Sequence, residues 1–327
     1  MRRRHFLLAP LWVAAAPALA ELAKKPRRIG TLGNLPPTNK SVQILWDQFI
    51  DGLREHGWIE GENIVIDARW VEGRPEQYAT FAAELVALQP DVLVALGGSQ
   101  PTKELKARTR TIPIVMQGVS HPVEAGYVAS LSRPGGNVTG LTNQLSDIGL
   151  KYGELTREIV PGLERFGIIW EPENDGSRLA VADFERTAPG LGIKLVLAPL
   201  RKESDLESAF AILRQERAQV VLVHPTPIAS QRRDDIIAFA NAQRLPTLTP
   251  AEVNMRAGYL VSYGPDWPGM YRRIAYYVDR LLRGAAAAEL PVEQPTRFNL
   301  GLNLTTAKKI GWEIPPSLIA RADEVIE

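Results

Sequence analysis

Short apolar runs, each followed by a stretch with helical spacing, alternate along this chain from Arg27 onward, and the alternation restarts at Val138. That repetition constrains the fold more than any single motif. Strand-then-helix units bury their strands in a parallel sheet, so two successive arrays predict an α/β protein with two parallel sheets, each covered by helices on both faces. In the first array, 28–32 reads as a strand entering the loop Gly33-Asn34-Leu35-Pro36-Pro37. The stretch 41–56 carries apolar residues at Val42, Leu45, Trp46, Phe49, Ile50 and Leu53, which is helix spacing, and Gly57 stops it. Residues 63–70 alternate as a strand and 75–88 read as a helix. Residues 92–96 are continuously apolar, the mark of a strand buried on both faces. A short helix from about Gln100 and a strand at 112–119 follow.

The second array predicts strands at 138–142, 166–170, 193–197, 220–223, 246–248 and 259–262. Its helices are expected at 147–160, 177–191, 203–214, 228–243 and 267–283. No Pro/Gly/Ser-rich linker separates the arrays, so the lobes should be joined by extended crossing strands, near Gly140, Gly264 and Thr296.

The length of 327 residues fits two domains at roughly 150 residues each. With 38 Lys and Arg against 37 Asp and Glu, no basic footprint for nucleic acid exists. Cys is absent, which removes disulfides, thiolate nucleophiles and Cys-based metal sites. The four His residues, at 5, 56, 121 and 224, form no metal-binding spacing. No GxGxxG follows a strand, and no GxxxxGK[ST] or GxSxG occurs. Neither a catalytic centre, a metal nor a cofactor is therefore expected.

The first twenty residues read as an export signal. Arg2-Arg3-Arg4 is a positive start, 6–20 is apolar apart from two prolines, and Ala18-Leu19-Ala20 is a small-x-small cleavage site. Arg3-Arg4-His5-Phe6-Leu7 also resembles a twin-arginine signal, so the export route is Sec or twin-arginine. Cleavage near Ala20 would remove three Arg and no acid, leaving 35 bases against 37 acids and a net charge of −2. The expected location is the periplasm.

In open parallel sheets, ligands sit beyond the carboxyl ends of the strands. That rule selects the loops at 33–35, 97–100 and 117–122 in the first array, and 171–177, 224–230 and 250–254 in the second. Gly97-Gly98 ahead of a helix start can receive an anion on free N–H groups, or be a plain strand-to-helix turn. His121 and His224 are ligand contacts or satisfied loop histidines. Glu252 at a strand end suits an ammonium, or is a surface charge. Tyr263 is a lid aromatic or packing, and Trp170 is core or cleft wall.

Several segments carry a family resemblance over essentially the whole mature chain. They include Asp51-Gly52-Leu53-Arg54-Glu55-His56-Gly57-Trp58, Leu131-Ser132-Arg133-Pro134-Gly135-Gly136-Asn137-Val138-Thr139-Gly140, Ser262-Tyr263-Gly264, Gln294-Pro295-Thr296-Arg297-Phe298, and the ending from Pro315-Pro316-Ser317 to Asp323-Glu324-Val325-Ile326. The chain thereby resembles the ABC-transporter substrate-binding proteins whose best-known branch binds tryptophan and other aromatic amino acids. The resemblance implies a type I periplasmic-binding-protein fold: two Rossmann-like lobes joined by three crossing segments, with the ligand in the cleft. The lobes would comprise 27–140 plus 265–293 and 141–264 plus 294–327. It implies ligand contacts from Asn34, Ser99, Gln100, Ser120 and His121 in the first lobe and from Asn174, Ser177, Thr226 and Glu252 in the second; Leu35, in the first strand-end loop, and Tyr263, as the candidate lid aromatic, complete the expected set. The implied partners are a small-molecule ligand, an amino acid or aromatic compound, and, transiently, a membrane permease; the carrier itself would be a monomer. Feeding a sensor kinase or chemoreceptor is the alternative, and an exported enzyme on this scaffold a more distant one. Two departures stand out. His121 precedes Pro122 where many relatives carry Asp, and His224-Pro225-Thr226-Pro227 replaces a Thr-Asp-Asn-Thr-like stretch of the aromatic-amino-acid branch.

Overall fold

The computed structural model describes residues 25–143 and 148–327; the export signal expected at 1–20 lies outside them. The first sheet contains β1 (Arg27–Gly33), β2 (Ile64–Trp70), β3 (Val92–Ala95), β4 (Ile114–Val119) and β5 (Val138–Thr142), in the order β2-β1-β3-β4-β5. Every pairing in it is parallel. Helices α1 (Lys40–Glu55), α2 (Gln77–Ala87) and α3 (Ser99–Arg108) connect its strands. The continuous apolar run of β3 is explained by the layers on either side, which leave all four of its residues buried.

The second sheet follows. Its elements are α4 (Ile148–Ile159), β6 (Arg165–Trp170), α5 (Asp175–Thr187), β7 (Lys194–Pro199), α6 (Leu206–Gln215), β8 (Val220–Val223), α7 (Pro227–Gln231), α8 (Arg233–Ala242), β9 (Thr247–Thr249), α9 (Glu252–Ala257) and β10 (Val261–Pro265). The chain then returns to the first lobe as α10 (Trp267–Leu282), before β11 (Phe298–Asn303), α11 (Leu304–Ile310), α12 (Pro316–Ile319) and β12 (Glu324–Ile326) complete the second sheet. Its order is β12-β11-β10-β9-β8-β6-β7. The β10–β11 pair is antiparallel, a departure from the all-parallel expectation. The reason is topological: β11 re-enters the sheet from the crossing side, so it runs back along β10.

Helix α10 belongs to the first lobe although both neighbouring strands belong to the second. Its apolar face joins Phe49 and Leu53 of α1 through Met270, Ile274 and Val278. The chain thus passes between lobes three times: after Thr142, at Pro265–Asp266 and along 294–297. The latter two crossings are tied, because the Asp266 amide donates to the Arg297 carbonyl at 3.1 Å. Glu293 brackets β5, its amide donating to Gly140 and its carbonyl accepting from Thr142, both at 3.0 Å.

The helix expected over 228–243 is broken at Arg232, whose φ of −97° and ψ of 21° leave helical geometry, so α7 and α8 are separate. The short α7 is held from below. The buried Glu171 carboxylate accepts the Ile228 amide at 2.8 Å, and such an acceptor at a helix start satisfies one of its orphan donors.

Candidate functional site

The carboxyl ends of both sheets face each other across a cleft, and the lobes touch around its mouth. Trp267 at the start of α10 donates its indole N–H to the Pro250 carbonyl at 2.8 Å. His121 Nε2 stands 3.1 Å from Asp183 Oδ2 of α5, an ion-pair distance without good hydrogen-bond geometry. Gly176 lies so near Ser99 that a β-carbon on it would come within 2.8 Å of the Ser99 hydroxyl oxygen.

Between these contacts lies a cavity of about 240 Å³. Gly98, Ser99, Gln117, Ser120 and Asn143 line it from the first lobe, and Leu45, Trp267 and Tyr271 form an apolar wall. The second lobe contributes Asn174, His224, Pro225, Glu252, Val253 and Arg256. A second chamber of about 180 Å³ adjoins it, sharing Leu45, Gly97, Pro225, Ala251, Val253 and Tyr271. Its lining is mixed: Trp46, Trp70, Tyr78 and Tyr271 give it an aromatic wall, and Asn34, Thr226, Asn254 and Arg233 are among its polar residues, with Leu35 beside Asn34.

The polar groups of the first chamber are prepared rather than satisfied. Gln117 is fully buried; its Oε1 accepts the Gly97 amide at 3.0 Å, yet its Nε2 has no partner. The turn before α3 requires glycine, since Gly98 has φ of 105°, and no side chain caps the helix start. The Ser99 and Gln100 amides at the start of α3 therefore lack an intrahelical acceptor, while Pro101 after them carries no N–H, and Ser99 lines the cavity. Asn143 Oδ1 and both ring nitrogens of His224 are likewise buried without partners. Burial pushes the His224 imidazole down to about 4, so it is neutral near pH 7.

Glu252 is the one carboxylate among the described lining residues of the two chambers. It is not free, being hydrogen-bonded to Arg256, which also holds Glu324 Oε1 at 2.7 Å. Burial, then the neighbouring Glu324, raises the Glu252 carboxyl to about 7. No cluster of metal-ligating residues occurs among the described residues.

The expected site residues do not all reach the two chambers. Ser99, Ser120, Asn174 and Glu252 line the first chamber, while Asn34, Leu35 and Thr226 line the second. Gln100 lines only a small neighbouring cavity beside Glu171, because the turn of α3 carries it away from Ser99. His121 serves the interlobe contact. Ser177 is fully buried and braces the C-terminal lobe instead: its amide is capped by Asn174 Oδ1 at 3.0 Å and its hydroxyl accepts the Glu171 amide at 3.1 Å. Tyr263 lines neither chamber: it packs, partly buried, against the second lobe's core, stacked on Phe298 at 5.9 Å, and its carbonyl accepts the Tyr152 hydroxyl. Trp170 also packs against that core. The Trp267 and Tyr271 wall was not anticipated, because α10 reaches the cleft only after a crossing between lobes.

The family model for ABC transporter substrate binding proteins matches residues 39–326. The chain belongs to that family. This substrate-binding protein is 25% identical over 293 residues to a tyrosine-binding protein from Clostridioides difficile, covering 89% of this chain and 83% of the relative. Its fold matches a conserved domain protein from Vibrio cholerae, with TM-score 0.86, 28% identity, and coverage of 92% of this chain and 100% of the other. An ABC domain in complex with L-Trp from Streptococcus pneumonia gives TM-score 0.83 at 24% identity, with 92% and 100% covered. The family binds small solutes and hands them to a membrane permease, and the type I periplasmic-binding-protein fold provides the cleft for doing so.

Proposed function

We propose that this substrate-binding protein captures one small organic solute with an aromatic body, an amino acid or related aromatic compound, and delivers it chemically unchanged to its permease. The single observation that carries this reading is the two-chambered cavity. One chamber offers unpartnered buried polar atoms and the other a wall of Trp46, Trp70, Tyr78 and Tyr271. An unpaired buried polar group costs about 1–3 kcal/mol, so a ligand that pairs with it recovers that cost. Contacts from both lobes favour the arrangement in which the lobes touch, and the ligand biases closure through its differential affinity for that state. The protein acts as a monomer in the periplasm, after export directed by residues 1–20. The homologue named for tyrosine and the neighbour holding L-Trp support the aromatic reading.

The test is calorimetric titration of the mature protein with a panel of aromatic metabolites, alongside thermal unfolding and small-angle scattering. One solute should bind at 1:1 and reduce the radius of gyration. At a hundred times its Kd it should add about 2.7 kcal/mol of stability. A panel in which no aromatic solute stabilises or compacts the protein contradicts the proposal.

A further inference from the structure

We infer that the cleft is built for an aromatic carboxylate without an ammonium group, a monoanion, whose carboxylate lies against Gln117 and the hydroxyl and amide of Ser99 at the start of α3 and whose other polar group meets His224. The inference rests on the reading that the cleft holds an aromatic solute and narrows it by charge.

The anion end has two independent supports. Helix α3, ten residues long, opens at Ser99 with no capping side chain, and its dipole favours negative charge there. Beside it, Gln117 lines the cavity, is fully buried, and has its amide nitrogen unpartnered. The Gly97 amide fixes the orientation of that side chain by donating to its oxygen, so what Gln117 presents is a donor. A donor beside free backbone amides suits a carboxylate.

The opposite wall lacks the complement that a zwitterion needs. A buried ammonium is best met by a carboxylate, just as the buried carboxylate is met here by the donors of Gln117 and Ser99, because a buried charge left without partners is costly. Glu252 is bonded to Arg256, and Arg256 to Glu324 behind it. An ammonium would have to displace the guanidinium from that arrangement. The remaining charged lining residue is Arg233, in the second chamber, whose nearest acid is the outward-facing Asp234 at 3.5 Å. The loop after β8 lines the first chamber with His224 and Pro225, neither of them an acid. The two buried nitrogens of His224 offer one donor and one acceptor, with no charge to balance an ammonium.

Matched pairs test this directly by calorimetry at pH 7: 3-(indol-3-yl)propionate against L-tryptophan, and 3-(4-hydroxyphenyl)propionate against L-tyrosine. For the pair that fits the chamber, the desamino acid should bind at least tenfold more tightly. His224→Asp should shift the preference toward the amino acid. Gln117→Glu should weaken the carboxylate at least a hundredfold, and at least tenfold more than it weakens the neutral amide, 3-(indol-3-yl)propionamide. An amino acid that binds wild-type protein as tightly as its desamino partner overturns the inference and leaves the aromatic reading standing. If none of the four acids binds while a non-aromatic solute released from the purified protein does, the aromatic reading itself falls.

Discussion

The indole N–H of Trp267, in the first lobe, donates to the carbonyl of Pro250, in the second, across 2.8 Å. The bond joins a wall of the ligand cavity to the loop that precedes Glu252. Replacing Trp267 with Phe keeps an apolar wall and removes the donor. Such a bond contributes about 1 kcal/mol net, so ligand affinity should fall roughly fivefold, with little change in the melting temperature of the ligand-free protein. Calorimetry and thermal unfolding of the variant measure both; an unchanged Kd would show that the bond plays no part in closure.

The same carbonyl is guarded from the other side by Gly264. A β-carbon there would sit 1.9 Å from the Pro250 oxygen, so the second crossing passes too close to β9 for any other residue. Gly264→Ala should displace Pro250, lower stability by about 1–3 kcal/mol and weaken ligand binding together. Gly190→Ala, where nothing lies within 4 Å, serves as the neutral control. Thermal midpoints of the two variants should separate by several degrees; equal midpoints would contradict the account.

Two buried groups in the second lobe give opposite pH slopes. His224 has its pKa lowered from 6.5 to about 4 by burial, so the unfolded chain binds the proton more readily. The stability of the neutral ring is fully present above about pH 6.5 and is lost as pH falls toward 4. Glu171 has its pKa raised from 4.5 to about 7, chiefly by burial, so the folded state holds the proton more tightly. Its contribution is full below about pH 4.5 and is lost as pH rises toward 7. Each effect is on the order of 3 kcal/mol, from about 1.4 kcal/mol per pKa unit. Their slopes oppose each other in the wild type. His224→Gln should therefore make stability fall more steeply with rising pH between 4.5 and 7. Glu171→Gln should make it rise more steeply between 4 and 6.5. Melting temperatures across that range decide, and slopes of the same sign in both variants would refute the assignment.

Arg256 holds two carboxylates that would otherwise repel. Arg256→Met should free Glu252 toward the cavity, raise the affinity for an ammonium-bearing aromatic amino acid severalfold and destabilise the protein more at pH 8 than at pH 5. The pH difference follows because a protonated Glu252 no longer repels Glu324. Calorimetry with L-tryptophan and thermal unfolding at both pH values check it; a variant with unchanged ligand preference and a pH-independent loss would contradict the charge reading.

Local periodicity made the architecture legible. The apolar run at β3, the face of α1 and the glycines after β3 each follow from contacts within one strand–helix unit, and so appear in the sequence. What stayed hidden depends on long-range placement. Tyr263 looks like a lid aromatic in Ser262-Tyr263-Gly264, yet β11 pairs with β10 and brings Phe298 onto its ring. Ser177 reads as a ligand hydroxyl, yet the Glu171 amide takes it. Trp267 and Tyr271 read as an ordinary helix start, because only the return of α10 to the first lobe turns them into a cavity wall. Glu252 was identifiable as a cleft acid, but its neutralising partner Arg256 depends on Glu324, 68 residues further on.

The central claim is that two lobes close on a guest and release it unaltered. The chain has no Cys, so a single introduced pair, Thr80→Cys in the first lobe and Ser208→Cys in the second, accepts distance labels uniquely. Fluorescence energy transfer between them should report a shorter distance as the solute recovered from the purified protein is added back. The change should saturate at one solute per chain, and mass spectrometry should recover the solute intact. A solute that saturates binding with no change in distance, or that is recovered altered, would contradict the account.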